Sequence, residues 1–243
     1  MVDGAHRSLA LVTGAARRLG RDLSICLARM GYDLVLHCHD SWPEAERTRE
    51  DILALGGRAE IVQADLTDPD QIARIFQQID SLGGQLRILI NSAAVMNAGK
   101  PATVSVDNFD AEMDLNLRAP FHCAQLAAAR MDAGGLIINI SDVGAAKAWT
   151  RYPVYSVSKA GLDSLTRILA RSLAPAIRVN GIAPGLVYKS EGLSQKEWDD
   201  ILAKIPLQRA AQSEEIMGAL EFLIKNEYVT GQTILVDGGY SLV

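Results

Sequence analysis

Cysteine is scarce in this chain, aromatic residues are few, positive charge is not in excess and no apolar run is long. Only Cys26, Cys38 and Cys123 occur among 243 residues, and no two of them form a CxxC pair. A disulfide scaffold is thereby excluded, and a reduced, cytoplasmic compartment is expected. A formal charge of −5 and a pI of about 5.4 argue against a broad phosphate-binding face. Nucleic acid is not an expected partner, although a few local cations suffice to hold one small anion. No stretch approaches the roughly 18 apolar residues of a membrane span. The apolar run 8–16 follows His6 and Arg7 and is broken by Thr13-Gly14 before Arg17 and Arg18, which fits a buried strand and its turn better than a signal peptide. Neither an internal repeat nor a linker-like change of composition is found. At 49% hydrophobic and 22% charged residues, residues 1–243 read as a single domain with one large core.

What is present is an alternation of short β-rich apolar runs with helix-period segments. The runs are 9–13, 33–37, 59–63, 88–91, 136–140, 178–182 and 233–236, several of them apolar on both faces. Between the first two, Leu19, Leu23, Cys26, Leu27 and Met30 form one helical stripe that Gly31 ends. Thr67-Asp68-Pro69 offers a cap followed by proline at the first helical position. Leu162, Leu165, Leu169 and Leu173 mark a further stripe, stopped before Pro175. This order implies an α/β fold: a parallel sheet with right-handed crossovers and helices on both faces. Ligands of such sheets bind beyond the carboxyl ends of the strands, so chemistry is expected just after each strand.

The first strand runs into Thr13-Gly14-Ala15-Ala16-Arg17-Arg18-Leu19-Gly20. The spacing is neither GxGxxG nor that of a P-loop, yet glycines here let backbone N–H groups approach a phosphate at the helix N-terminus. At the end of the second strand, where an NAD site places an acid for the ribose 2′-hydroxyl, stand His37, His39 and Ser41. No acid there repels a 2′-phosphate, and Arg18 can reach one through a charge-assisted bond, so NADP(H) is the expected cofactor. His37 and His39 lack a third ligand at useful spacing, and no metal site is expected.

Tyr155 and Lys159 lie four apart and share a helix face. A phenol near pKa ~10 is a poor acid at neutral pH. A neighbouring ammonium, together with an oxidised nicotinamide, is expected to lower it. Asp142 directly follows the fifth strand and precedes Tyr155 by a loop. Asn116 has Pro120 four residues on, so its carbonyl loses its usual helix donor and is free to hold a water in a proton relay.

Together these residues resemble the short-chain dehydrogenase/reductase family over essentially the whole chain. The matching stretches are Thr13–Gly20, Ala64-Asp65-Leu66, Asn91-Ser92-Ala93-Ala94, Asn116, Tyr155-x-x-x-Lys159, Ile182-Ala183-Pro184-Gly185 and Val236-Asp237-Gly238-Gly239. The resemblance implies a single-domain Rossmann fold with a seven-stranded parallel sheet, and a homotetramer. It implies that Asp65 meets adenine, that Asn91 lines the cofactor groove and that Asn116 carries the relay water. It also implies that Lys159 holds the nicotinamide ribose, and it carries Gly14, Leu19, Gly20, Leu66, Ala93, Pro184 and Gly185 into the cofactor site. Two departures point to a subgroup: Arg18 stands where the family usually has glycine, and Asp142 where it usually has serine. With His37-x-His39 they resemble pteridine reductases and the bacterial dihydromonapterin reductases, in which carboxyl and tyrosine act together on a pterin. Those enzymes usually offer an aromatic ring after the Asn-x-Ala turn, where this chain has Val95-Met96. Met96 is polarizable enough to cover a ring face. The segment 186–207 is expected to cover the substrate, with Tyr188 and Trp198 either supplying the missing ring or packing. The expected activity is NADPH-dependent reduction of a pterin C=N bond. Rival readings are a carbonyl or 3-oxoacyl reductase and a nucleotide-binding sensor without turnover.

Overall fold

A computed structural model describes residues 8–147, 149–190 and 192–243; His6 and Arg7 lie outside it. Seven parallel strands form one sheet in the order β3-β2-β1-β4-β5-β6-β7. They are β1 Ser8–Val12, β2 Asp33–Cys38, β3 Ala59–Gln63, β4 Gln85–Asn91, β5 Gly135–Ile140, β6 Ile177–Pro184 and β7 Thr233–Val236. All seven expected strands are present. β4 begins three residues earlier than its apolar run because Gln85 and Leu86 pair with Ser8 and Leu9 of β1, and the polar side chains at that end have partners in the segment before β5. Gln85 Nε2 donates to Arg130 O at 2.7 Å, and Arg87 Nη1 donates to Ala133 O at 2.8 Å.

Alternation along each strand divides the core into two layers. Leu11, Val35, Leu89, Ile137 and Val179 face α3 (Pro69–Ser81), α5 (Ala119–Ala128) and α6 (Pro153–Leu173), meeting Ile72, Phe76, Ala124 and Leu162. Val12, Leu36, Ile90 and Ile138 face α1 (Arg18–Arg29) and α8 (Ser213–Lys225), meeting Leu23, Leu27, Leu220 and Leu223. The stripes read from the sequence for α1 and α6 are these buried faces. The Asp68 carboxylate caps α3 by accepting from the N–H groups of Asp70 and Gln71.

The order of the sheet reverses between β1 and β4, which open a crevice at their carboxyl ends. α2 (Trp42–Ala54) flanks that crevice on the β2 side, and Thr48 Oγ1 donates to Ala16 O at 3.1 Å. On the far side, α4 (Val106–Met113) passes into α5 through a π-helical turn at Asp114–Arg118, just before Pro120. α7 (Gln195–Leu202) lies over the crevice in the segment after β6, and the Ser194–Glu197 capping box fixes its start. No described helix is long and apolar enough to cross a membrane.

Candidate active site

The turn after β1 is tied to its neighbours before any ligand is considered. Thr13 Oγ1 accepts from the N–H groups of Ser92 and Ala93 at 2.9 and 3.1 Å. Gly14 has φ +66°, and a Cβ on it would lie 2.9 Å from Ala93 Cα. A Cβ on Gly20 would come within 2.0 Å of Gly14 O. These close approaches seat the N-terminus of α1 directly against the turn. That terminus has no side-chain cap and no acid in its first turn, which leaves backbone N–H groups and positive partial charge facing the crevice. Arg18 extends beside it, its Nη2 donating to Tyr188 O at 3.2 Å and its guanidinium 5.5 Å from the Tyr188 ring centre.

Several residues expected at the cofactor have their side chains elsewhere. The His37 imidazole is buried, accepting from Gly14 N–H through Nδ1 at 3.1 Å and donating from Nε2 to Ala64 O at 3.0 Å. It joins the glycine turn to the end of β3 instead of facing the crevice, and burial lowers its pKa to about 4. Asn91 Nδ2 donates to Asn139 Oδ1 at 2.8 Å, and Asn139 Nδ2 to Thr166 Oγ1 at 2.9 Å. Asn91 therefore braces the sheet against α6 and does not line the groove. Leu66 is part of the core, and Ala93 serves as the contact surface for Gly14. Ser41 sits at the start of α2. The Asp65 carboxylate accepts from the Thr67 N–H and hydroxyl, both at 2.8 Å, and these bonds lower its pKa. Ser41 and Asp65 remain on the rim beyond β2 and β3.

On the other side of the crevice the catalytic candidates converge. Tyr155 Oη donates to Asp142 Oδ2 at 2.9 Å, while the Gly144 N–H donates to Asp142 Oδ1 at 2.6 Å. Lys159 Nζ donates to Ile140 O at 2.7 Å and lies 5.6 Å from the Tyr155 ring centre. Burial raises the Asp142 pKa and lowers that of Lys159 to about 8. Lys159 by itself does not lower the Tyr155 pKa: burial first, then the Asp142 and Glu112 charges, push it up. The phenol is thus held neutral, with a proton to give. Asn116 is fully buried; its Oδ1 accepts from Val95 N–H at 2.9 Å and its Nδ2 donates to Val95 O and Ser158 Oγ. The π-helical turn at this position is the backbone's answer to Pro120, which has no N–H for the Asn116 carbonyl.

A cavity of about 600 Å³ joins the two halves, running from Arg18 and Leu19 past Pro184 and Gly185 to Asp142, Tyr155 and Lys159. Met96 and Tyr188 line it. Trp198 does not; it is buried on α7, and Ile201 reaches the cavity in its place. The Tyr188 hydroxyl is taken by the Asp22 carboxylate on α1, so this ring anchors Arg18. Sequence reasoning missed Trp149, Tyr152 and Tyr240, all of which line the cavity. The aromatic spacing in Trp149-Thr150-Arg151-Tyr152, just before Tyr155, was the available signal.

The crevice fits a dinucleotide phosphate group on its own geometry: an uncapped helix N-terminus, glycines that no side chain can replace, and an adjacent guanidinium. Comparison with known proteins agrees with that geometry. Residues 14–241 match a family model described as enoyl-(acyl carrier protein) reductase. Similar curated proteins include the 3-oxoacyl-[acyl-carrier-protein] reductase FabG of Staphylococcus aureus, 35% identical over 95% of this chain and 96% of the relative. The 1-cyclohexenylcarbonyl-CoA reductase of Streptomyces collinus is 31% identical over 98% and 88%. Among solved structures, FolM alternative dihydrofolate reductase 1 of Brucella canis, complexed with NADP, superimposes with a TM-score of 0.92. It is 33% identical, and the match covers 97% of this chain and 94% of that one. A short-chain dehydrogenase/reductase of Serratia marcescens gives 0.91 at 30% identity, over 96% and 98%.

Proposed function

We propose that this chain, which belongs to the short-chain dehydrogenase/reductase family and is an NAD(P)-dependent oxidoreductase, uses NADPH to reduce the C=N bond of a dihydropterin-like ring. The observation that carries this reading is the Tyr155–Asp142 hydrogen bond. A carboxylate beside the reacting atom would repel the alkoxide that develops when a ketone is reduced. It suits an imine-type nitrogen, which ends the reaction protonated and uncharged. The likeness to FolM adds support.

Arg18 and the first turn of α1 would hold the phosphates of NADPH, Lys159 and Tyr155 its nicotinamide ribose, and Ser41 and Asp65 its adenosine. Bound NADPH supplies the hydride. Tyr155 delivers the phenol proton to the ring nitrogen. Asp142, whose pKa is raised by burial, takes up a proton from solvent and passes it to the phenolate along the same hydrogen bond, and Lys159 steadies the transient negative charge. Asn116 positions Val95, and with it Met96, at the cavity wall. Three buried unpaired thiols suit a reducing, cytoplasmic setting.

The rival 3-oxoacyl reductase reading is favoured by the FabG relatives. NADPH consumption separates the two when dihydropterins and dihydrofolate are set against 3-oxoacyl thioesters and simple ketones. Pterin turnover supports the proposal; ketone turnover without pterin turnover moves the chain to the rival.

A homotetramer completes the proposal. Val106, Phe109, Val157 and Ile168 expose apolar surface along α4 and α6, with Val106, Val157 and Ile168 more than half exposed, as a face covered by another copy would require.

A further inference from the structure

The wall beside Asp142 is built by two distant parts of the chain. Trp149 belongs to the loop between β5 and α6, and its six-membered ring is pressed against Gly144: a Cβ there would lie 2.8 Å from Cε3 and Cζ3 and 3.0 Å from Asp142 Oδ1. The indole and the reacting carboxyl therefore meet at one glycine. Tyr240 arrives from the turn after β7 and leans on Trp149, with ring centres 6.1 Å apart at 44°. Tyr152 meets Trp149 edge-on at 6.3 Å. The Tyr240 turn is itself fastened. Lys147 Nζ stands 4.3 Å from the Tyr240 ring centre and donates to Tyr240 O at 2.8 Å, while the Asp237 carboxylate accepts from the N–H groups of Gly239 and Ser241 at 2.9 and 2.7 Å. All three rings line the cavity, and Trp149 is half-buried. A rigid, braced indole beside a proton-delivering carboxyl is a poor match for a flexible acyl chain and a good one for a flat ring, which loses little conformational freedom on stacking.

We infer that Trp149, braced by Tyr240, is the recognition face of this site for planar unsaturated rings. It replaces the aromatic residue that the turn after β4 lacks. The inference rests on the proposed reduction of a ring C=N bond, deepens it by naming the residue that selects the ring, and can fail separately from it.

The test uses the full chain with bound NADPH. Steady-state kinetics are measured for a dihydropterin, for phenanthrenequinone (a flat ring diketone) and for an acyclic acetoacetyl thioester, in the wild type and in Trp149→Leu, Trp149→Phe and Tyr240→Leu. Trp149→Leu is expected to raise KM for both ring substrates about tenfold while kcat stays within about twofold and the acyclic substrate is unaffected. Trp149→Phe should restore most of the loss, and Tyr240→Leu should reproduce part of it, which keeps the test intact if Trp149→Leu does not fold. In parallel, an oxidised pterin added to the NADP⁺-loaded protein should quench tryptophan fluorescence in the wild type and not in Trp149→Phe. An unchanged KM, or an equal rise for ring and acyclic substrates, overturns the inference while leaving the C=N reading in place. Turnover of phenanthrenequinone but not the dihydropterin overturns that reading and leaves the ring-recognition role to stand or fall on the phenanthrenequinone arm. Turnover of the acyclic thioester alone overturns both.

Discussion

The chemistry of the site comes down to where one proton resides. The Tyr155 pKa is raised by burial and by the Asp142 charge, the reverse of what the ammonium at i+4 suggests. Lys159 spends a hydrogen bond on the Ile140 carbonyl, and charges act most strongly where water is excluded, so the nearer carboxylate dominates. A neutral phenol is the form needed for reduction. Tyr155→Phe should therefore lower turnover by about 10²–10⁴-fold and leave NADPH affinity, read by titration of nucleotide fluorescence, nearly unchanged; equal activity in the variant would remove Tyr155 as the acid. Asp142→Asn keeps an acceptor for the Gly144 N–H but turns an amide N–H toward Tyr155 Oη, and it cannot carry a proton. We expect kcat on a dihydropterin to fall about 10²-fold with KM little altered, a split that simple loss of packing would not produce. The protonated Lys159 stabilises the phenolate, and its pKa is about 8, so kcat/KM should decline as pH rises through that value.

At the scale of the element, the glycine turn and His37 act as one unit. The folded protein holds His37 neutral, with a pKa of about 4 against 6.5 in the open chain. Above pH 6.5 neither state takes a proton there and the contribution is complete. Between 6.5 and about 4 only the unfolded chain is protonated, so stability falls, and below about 4 the loss levels off. The size is on the order of 3 kcal/mol. His37→Gln should abolish this slope, so the stability gap between wild type and variant in urea melts should narrow by that amount from pH 7 to pH 4. Gly20→Ala forces a methyl onto Gly14 O and should cost about 3 kcal/mol while weakening NADPH binding, which the same melts with and without nucleotide would show. The strands, the stripes of α1 and α6 and the cap of α3 were legible from the sequence because period and capping are local properties. The direction of His37 was not, because alternation names the face of a strand residue but not what stands opposite it. Here the Ala64 carbonyl stands opposite, from a strand 27 positions on.

At the scale of the whole molecule, the exposed apolar residues of α4 and α6 form surface that a lone chain gains nothing by showing to water. Light scattering of the pure protein should give the mass of four chains. Val157→Asp together with Ile168→Asp should reduce it to a smaller species, whereas a wild-type mass of one chain would overturn the homotetramer. The cavity also belongs to this scale. Its walls come from the ends of β1, β4, β5, β6 and β7, so no window of sequence contains it. Trp198 was a reasonable candidate by position, but the helical phase of α7 turns it into the protein. Trp149 is not legible in the sequence because a loop has no period from which to read a direction.

By itself the sequence determined the alternation of strands and helices, the parallel sheet, the glycine turn and the set of groups able to act as acid and base. These follow from hydrophobic period, capping and side-chain chemistry, which act over a few residues. Only the tertiary structure decided which of those groups meet, that burial leaves Tyr155 a donor, that His37 and Asn91 are braces, and that Trp149 lines the cavity beside Asp142. Contacts, desolvation and the direction of a side chain depend on partners far away in the chain, and those partners come together only when the sheet closes its core.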